Sequence, residues 1–277
     1  MAMKKRQSRF PNKKNDNQKS RTPTPPDYKA VKEKKVAEKE AGSVIRLNRF
    51  IANCGVCSRR DADRLIADGL IKVNGNVIAE MGYRVQPTDT VYYQGKQLLR
   101  EKLVYVLLNK PKDHITTTED PQERRTVMNL VSNACEERIF PVGRLDRNTT
   151  GLLLLTNDGE LAKKLSHPSH NIRKVYEATL DKPLSKDDFI KIRDGFDLED
   201  GPVKIDDIAI SVEDDNKVGI ELHIGRNRIV RRIFEHFGYD VVRLDRVVYA
   251  GLSKYNLPRG KWRYLTDTEV GRLLRYK

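Results

Sequence analysis

The pattern of apolar and polar positions predicts a small folded unit that begins at Val44. Its first apolar positions recur at helical spacing and are Leu47, Phe50 and Ile51. A capping-box pattern, Ser58-Arg-Arg-Asp61, predicts the start of a second helix, which ends at Gly69. Two alternating segments follow, LIKVNGNVI and TVYYQGKQL, and each turns at a glycine. The pattern therefore predicts two short helices and two hairpins between residues 44 and 101.

Longer strands and helices are predicted from Leu103 onward. The apolar run in VYVLLNKP predicts a buried strand that ends at Pro111, and residues 151–156 predict another. Alternation in KVYEATL and VGIELHI predicts two further strands, whereas RNRIVRRIFEHFG has the spacing of a helix. Strands mixed with unevenly spaced helices favour an α+β domain over a doubly wound one.

Residues 1–43 differ in composition from the rest of the chain. They hold 13 basic and 5 acidic side chains, a balance of +8 out of the net +14, and include only two aromatic residues. Such a segment buries too little apolar area to offset its ordering entropy. We therefore expect a disordered basic tail, with a frayed helix near residues 29–41. A phosphate-binding role and a solubilising role both fit this tail.

The net charge indicates the kind of partner. Fifty-three Lys and Arg side chains against 39 Asp and Glu are typical of a protein that binds a polyanion, and RNA, DNA and an anionic membrane surface all fit. No apolar run approaches the length of a membrane span, and the basic N-terminus lacks the apolar core of a signal peptide. We therefore expect a cytoplasmic protein without a membrane segment.

Several kinds of chemistry find no motif in the sequence. Three cysteines fit a reducing compartment, and Cys54 and Cys57 have no second pair at metal-ligand spacing. There is no Gly-rich phosphate loop after a strand and no Gly-x-Ser-x-Gly elbow. The carboxylate that remains is Asp146, which lies between Arg144 and Arg147 just before an apolar run.

The predicted helix pair is dense in arginine on the side away from its apolar positions. These arginines are Arg46, Arg49, Arg59, Arg60 and Arg64. The stretch from Ile45 to Ile78, with its capped Ser-Arg-Arg helix and Val-Asn-Gly hairpin, resembles the RNA-binding module first known from ribosomal protein S-four. We expect this face to bind RNA, and the alternative is a solvated basic face on a packing domain.

Four motifs, in order, resemble those of ribosomal pseudouridine synthases of the RsuA/RluB type. They are Leu108-Asn-Lys-Pro111, the run from Phe140-Pro-Val-Gly-Arg-Leu-Asp146 through Thr150-Gly-Leu-Leu-Leu-Leu-Thr-Asn-Asp158, Lys174-Val-Tyr176 and Gly225-Arg-Asn-Arg-Ile-Val-Arg-Arg232. The resemblance spans residues 45–270. It implies an RNA-binding domain at residues 44–101 and a catalytic domain at residues 102–277, built on a mixed, mainly antiparallel sheet. The implied isomerisation of uridine needs no cofactor and no metal.

The resemblance also implies roles for individual residues. It assigns Asp146 as the catalytic carboxylate, with Arg231 as its partner, and Tyr176 as the ring that stacks on the target base. Arg144 would enter the space left by the flipped nucleotide, and Arg228 is a further expected RNA contact. Whether Asp146 attacks a carbon or removes a sugar proton is left open.

One position departs from the family pattern: Ile229 stands where many relatives carry Gln or Glu. Because its spacing places it on the apolar face of the helix, we expect altered packing there and retained chemistry.

The prediction of the substrate is based on two short segments. Residues 198–201 (Leu-Glu-Asp-Gly) and the Gly-Arg-Asn-Arg form of the arginine motif resemble the large-subunit rRNA enzymes more than the small-subunit one. We therefore expect the substrate to be large-subunit rRNA or a pre-ribosomal particle. We expect the protein itself to be a monomer. The alternatives are a small-subunit enzyme, a non-catalytic RNA- or ribosome-binding factor of the same fold, and a base-excising glycosidase.

Overall fold

The computed structural model describes residues 23–31 and 44–276. Two helices of the N-terminal unit, α1 (Leu47–Asn53) and α2 (Arg59–Ala67), pack on short strands. The strands are β1 (Ile45–Arg46), β2 (Ile71–Val73), β3 (Asn76–Val77), β4 (Arg84–Val85), β5 (Val91–Tyr93) and β6 (Lys96–Gln97). β1 pairs with β4, and the others form an antiparallel sheet in the order β3-β2-β5-β6. The predicted helices and hairpins are confirmed.

Local sequence explains the helix start and the turn in this unit. Ser58 Oγ accepts a hydrogen bond from the backbone N–H of Asp61 at 3.2 Å, which caps α2. Asn74 and Gly75 both have positive φ, at 50° and 86°. This is the turn geometry that matches the twist of two antiparallel strands, and it joins β2 to β3. The enclosed core consists of Leu47, Phe50, Ile51, Ala62, Ile66, Ile71, Val73, Val85 and Val91.

The larger unit is built on a nine-stranded sheet. Its main strands are β7 (Tyr105–Lys110), β9 (Thr150–Thr156), β10 (Lys174–Leu180), β13 (Asp207–Ile210), β14 (Lys217–Leu222), β15 (Val241–Tyr249) and β17 (Trp262–Tyr264). Two short strands, β8 (Phe140–Pro141) and β16 (Leu252–Ser253), pair with β9 and β15, and β11 (Phe196–Leu198) and β12 (Gly201–Val203) form a separate hairpin. The accompanying helices are α3 (Val127–Val131), α4 (Gly159–Ser166), α5 (Lys186–Asp194), α6 (Ile229–His236) and α7 (Asp267–Arg275).

The strand order of this sheet is β13-β14-β10-β15-β9-β7-β17. β9 and β15 are parallel, and the other pairings described in the sheet are antiparallel. Arg246 of β15 lies opposite Gly151 of β9 on one side and opposite Tyr176 of β10 on the other. The α+β class with a mixed, mainly antiparallel sheet is confirmed, and β15 lies between the motif-bearing strands β9 and β10.

The four consecutive leucines of β9 are buried on both faces of the sheet. Leu153 and Leu155 belong to the larger core, together with residues of α3, α5 and α6. Leu152 and Leu154 belong to the second core, on the opposite face, together with residues of α4 and α7. Because successive side chains of a strand point to opposite faces, a strand covered on both sides is a continuous apolar run.

Part of the N-terminal segment is packed against the larger unit, so the predicted disordered tail is wrong for residues 23–31. Tyr28 is 3% exposed, and its ring meets that of Tyr105 edge-on at 5.2 Å between centroids. Lys102 Nζ donates to the carbonyl of Pro25 at 2.9 Å, and the N–H of Lys29 donates to Asp267 Oδ1 at 2.8 Å. The average composition of the segment did not predict this contact, because a few apolar side chains are enough to hold a segment against an already folded surface. Residues 1–22 and 32–43 lie outside the described residues.

We expect Tyr28→Ala to lower the free energy of unfolding by about 3 kcal/mol, because it removes a buried aromatic side chain from the second core. Tyr28→Phe is the matched control. The Tyr28 hydroxyl is buried without a hydrogen-bond partner among the described residues, so its removal should leave stability unchanged or slightly higher. Urea unfolding of the full chain measures both. Similar stability of the Ala variant and the parent would show that the segment is not docked in solution.

Candidate active site

A buried lysine holds the backbone of the loop that carries Asp146. Lys110, the last residue of β7, is 0% exposed. Its Nζ donates to the carbonyls of Asp146 at 3.0 Å, Arg147 at 3.2 Å and Thr149 at 2.8 Å. Burial lowers the pKa of Lys110 to about 8. Lys110, which belongs to one of the four sequence motifs, thus orders the backbone that carries the Asp146 carboxylate. Its position in the chain did not indicate this role.

A second set of contacts holds the residue before Asp146. Leu145 is buried in the larger core, and its carbonyl accepts a hydrogen bond from Thr116 Oγ1 at 2.8 Å. The N–H of Leu145 donates back to the same oxygen at 3.2 Å. The side chain of Asp146 itself is 40% exposed. The loop therefore presents a carboxylate toward solvent from a backbone that is fixed on both sides.

We expect Lys110→Met to lower the free energy of unfolding by about 2 to 4 kcal/mol and to slow turnover. Met fills a similar volume but leaves three loop carbonyls without their donor, and unpaired buried acceptors are costly. The exposed Lys112→Met is the control for loss of a lysine charge in the same segment. Urea unfolding and single-turnover rates are the measurements. Equal stability of the two variants would contradict the assigned role of Lys110.

Next to Asp146 lies a cavity of about 170 Å³. The segments around it are the Asp146 loop, the end of α4, β10, β15 and the arginine motif at the start of α6. Its lining includes Arg144, Asp146, Lys174, Tyr176, Arg226, Arg228, Ile229, Arg246 and Tyr249. Pockets that enclose drug-sized ligands measure about 300 to 1,000 Å³, so this one suits a single planar base. The structure brings four of the predicted site residues, Arg144, Asp146, Tyr176 and Arg228, to one cavity.

Among the described residues, the cation that forms an ion pair with the Asp146 carboxylate is Arg228, not the predicted partner Arg231. Arg228 precedes α6 in the left-handed conformation, with φ 47° and ψ 30°, and its Nη1 lies 3.9 Å from Asp146 Oδ2. Arg231 Nη1 instead donates to the carbonyl of Val241 at 2.6 Å, and its Nε is buried without a hydrogen-bond partner among the described residues. Burial and Arg228 lower the pKa of Arg231, and Asp146 raises it, so Arg231 lies within electrostatic range of the carboxylate.

Ile229 occupies the expected side of its helix. It is buried in the larger core beside Val230 and Ile233, and it also lines the cavity. The departure from the family pattern therefore places an aliphatic group in the wall of the site. Tyr176 is likewise largely buried, on the same strand face as Ala178 and Leu180, as the alternation in β10 predicts.

The two segments that suggested the substrate contact each other. Asp200, in the turn between β11 and β12, accepts hydrogen bonds from Arg232 Nη1 at 2.8 Å and Nη2 at 2.7 Å. Arg226 donates to the carbonyls of Gly201 and Pro202, both at 2.9 Å. The hairpin and the arginine motif therefore form one hydrogen-bonded unit at the rim of the cavity.

The predicted basic face is only partly open. Arg46, Arg59, Arg60 and Arg64 are exposed. Arg49, however, forms an ion pair with Glu160 of α4, and the guanidinium of Arg59 lies beside Gly159 at the start of the same helix. Arg49 of the predicted RNA-binding face is therefore already paired within the protein, because α4 of the larger unit supplies a carboxylate to it.

The cysteines are free thiols. Burial raises the pKa of Cys54 and of Cys135 to about 12, which keeps both protonated near neutral pH. Within residues 23–31 and 44–276, no group of three or more His, Cys, Asp or Glu side chains is placed to hold a metal ion. In the same ranges no helix is both long and apolar enough to cross a membrane.

Comparison with protein families gives two matches. Residues 104–236 match the family described as RNA pseudouridylate synthase, and residues 45–91 match the S4 domain. The first match contains Asp146, Tyr176 and Arg231, and the second contains the arginine-rich helix pair.

Several known proteins are similar over most of their length. The ribosomal large subunit pseudouridine synthase B of Bacillus subtilis is 42% identical over 232 residues, which are 82% of this chain and 95% of that protein. An uncharacterized RNA pseudouridine synthase of Aquifex aeolicus is 39% identical over 83% of this chain and 94% of its own. The dual-specificity RNA pseudouridine synthase RluF of Escherichia coli is 38% identical over 82% and 78%. A crystal structure of a pseudouridylate synthase superposes with a TM-score of 0.58 at 28% identity, covering 83% of this chain and 99% of that one.

Proposed function

This chain belongs to the RNA pseudouridine synthase family, and from that premise we propose that it converts a uridine of large-subunit rRNA to pseudouridine in the cavity beside Asp146. The observation that carries the site assignment is a carboxylate on a fixed loop, at the mouth of a base-sized cavity lined by Tyr176 and several cations. A duplex hides its bases from such a cavity. The uridine therefore has to be unpaired or flipped out to reach it.

Three of the predicted site residues have a place in the chemistry of this reaction. Asp146 meets the sugar of the flipped nucleotide at the mouth of the cavity, where its ionised oxygens act as nucleophile or base. Tyr176, on the wall formed by β10, offers its ring to a face of the uracil. Arg144, exposed at the rim, fits the space that the flipped nucleotide leaves in the RNA.

Docking is assigned to the N-terminal unit, residues 44–101, and catalysis to residues 102–277. Arg46, just before α1, and Arg60 and Arg64 of α2 are exposed and suit contacts to phosphates, which fix position without reading sequence. The substrate is rRNA or a pre-ribosomal particle, and the compartment is the cytoplasm.

The large-subunit assignment rests on two supports. The Bacillus subtilis relative carries a large-subunit name, whereas the Escherichia coli relative is described as dual-specificity. The hairpin segment that resembles the large-subunit enzymes is bound through Asp200 to Arg232 of the arginine motif, so it can influence which RNA fits the rim.

The experiment uses rRNA labelled with tritium at carbon 5 of uridine and isolated from cells that lack the gene. Because carbon 5 loses its hydrogen when it bonds to the sugar, isomerisation releases tritium. We expect the purified protein to release it from large-subunit rRNA, with pseudouridine and no free uracil in the digest. Release from small-subunit rRNA alone would overturn the substrate assignment, and free uracil would indicate a glycosidase.

Arg231 stays the proposed partner of Asp146 during catalysis, although Arg228 is nearer in the structure. We expect Arg231→Met to slow single turnover strongly and Arg231→Lys to slow it less, because Lys keeps the charge but loses the planar fork. Arg228→Met is measured in parallel. Parent-like turnover of Arg231→Met, with a strong loss in Arg228→Met, would assign the partner role to Arg228.

A further inference from the structure

Arg246 is a buried cation for which the described part of the chain supplies no counter-ion. It is 3% exposed, and among the described residues it forms no ion pair with a carboxylate. Its Nε donates to the carbonyl of Leu152 at 2.8 Å, and its guanidinium lies 4.3 Å from the ring centroid of Tyr249. Its Nη2 is buried, and no group in residues 23–31 or 44–276 accepts a hydrogen bond from it. Buried charges are normally paired, so this donor is an exception that requires an explanation.

The acidic neighbour of Arg246 does not neutralise it. Asp245 precedes it on β15, and its side chain is bound by Lys254 Nζ at 2.6 Å, Arg259 Nη1 at 2.8 Å and Thr150 Oγ1 at 2.7 Å. These bonds hold the pKa of Asp245 at about 2, against the effect of burial, so it stays ionised with its own cations. The charge of Arg246 is therefore left for the cavity.

Arg246 lines the same cavity as Asp146 and Tyr176, and Tyr176 is its partner in the strand register. A second cation, Lys174, lines the cavity as well, and its Nζ donates to the carbonyl of His223 at 2.7 Å. Burial and Arg246 lower the pKa of Lys174 to about 8. Uracil is neutral before the reaction. A buried cation and a half-buried one beside it therefore suggest that a negative charge forms on the base during the reaction.

We propose that Arg246 is a catalytic residue whose guanidinium donates to a carbonyl oxygen of the flipped uracil and stabilises the negative charge formed when the glycosidic bond breaks. The proposal rests on pseudouridine formation in this cavity. When the bond between C1′ and N1 breaks, its electron pair stays on the uracil, shared by N1 and the carbonyl oxygens. After rotation of the base a pair from carbon 5 forms the new bond to C1′, carbon 5 loses its proton, and N1 gains one. A donor already in place lowers the cost of the anion without reorganisation.

The first test compares Arg246→Met, Arg246→Lys and the parent on an rRNA fragment. We expect Arg246→Met to lower the single-turnover rate at saturating enzyme by about 100- to 1,000-fold, as for loss of a preorganised donor, and Arg246→Lys to lower it less. The dissociation constant for RNA should change less than threefold. Arg243→Met, an exposed arginine on the same strand, is the matched control and should behave as the parent. Weaker RNA binding with an unchanged saturated rate would mean that Arg246 grips a phosphate, and would overturn the proposal.

The second test separates chemistry from structure with a better leaving group. Fluorine at carbon 5 withdraws electrons and stabilises the uracil anion, so loss of Arg246 should matter less on RNA that carries 5-fluorouridine. Disappearance of 5-fluorouridine from RNA digests is followed by chromatography. We expect the defect of the Met variant to shrink at least fivefold. Because each ratio compares two substrates on one protein sample, partial unfolding does not alter it, and Arg246→Lys serves if the Met variant does not fold.

An equal defect on uridine and 5-fluorouridine would mean that Arg246 acts only on structure, and would overturn the proposal. Asp146→Asn, measured beside these variants, distinguishes the two levels of inference. Activity of the Asn variant would refute the site assignment itself. An inactive Asn variant beside a parent-like Arg246→Met would refute only the role of Arg246.

Discussion

Asp146→Asn is expected to lower tritium release from an rRNA fragment by at least about 1,000-fold, while folding and RNA affinity stay close to those of the parent. Asn has nearly the same shape but cannot act as a carboxylate nucleophile or base. The contacts that fix the loop involve the backbone carbonyl of Asp146 and not its side chain, so the change should leave the loop in place. Asp146→Glu should also fail or nearly fail, because an added methylene displaces the oxygens by about an ångström.

The control for this result is Asp113→Asn. Asp113 is an exposed acid beside the same loop, where it pairs with Arg147 at 3.2 Å, so its replacement removes an equal charge near the site. We expect this variant to turn over at nearly the parent rate. A large loss in both variants would indicate a general effect of charge on RNA binding instead of chemistry at Asp146.

Gly151→Ala is expected to destabilise the protein by more than about 4 kcal/mol or to prevent its folding. Gly151 has φ +107°, and a Cβ there would lie 2.3 Å from the backbone oxygen of Arg246 and 2.4 Å from its nitrogen. Both atoms belong to the neighbouring parallel strand, so neither can move without opening the centre of the sheet. The change would also separate β9 from β15 at the floor of the cavity.

Gly143→Ala is the matched control for that substitution. Gly143 has φ +71° and no heavy atom within 4 Å of an added Cβ, so only the backbone conformation opposes the change. We expect a loss of about 1 to 2 kcal/mol there. Urea unfolding measures both variants. Equal losses would contradict the close approach of β9 and β15.

The sequence predicted the elements whose burial or capping is local. Sequence alone predicted the leucine run of β9, the alternation in β10 and the Ser58 cap, because strand period and helix capping depend on residues a few positions apart. Helix α7 also carries such a local signal, a capping box between Thr266 and Glu269.

Contacts between distant parts of the chain could not be predicted in this way. Lys110 reaches carbonyls 36 to 39 residues away, and nothing near it in the sequence identifies them. The position of Arg228 against Asp146 depends on its own left-handed conformation before α6, whereas the family resemblance assigned the partner role to Arg231. Arg246 was absent from the predicted site, because the cavity that it lines exists only once β9, β10 and β15 are side by side.

The most direct measurement of the central claim is a map of pseudouridines in rRNA from cells that lack the gene and carry either the parent protein or Asp146→Asn. Each protein is first shown to be expressed at the same level. We predict that a uridine of large-subunit rRNA is unmodified without the gene, is pseudouridine again with the parent, and stays uridine with the Asn variant. Restoration by the Asn variant, or an rRNA map that does not change when the gene is removed, would contradict the claim.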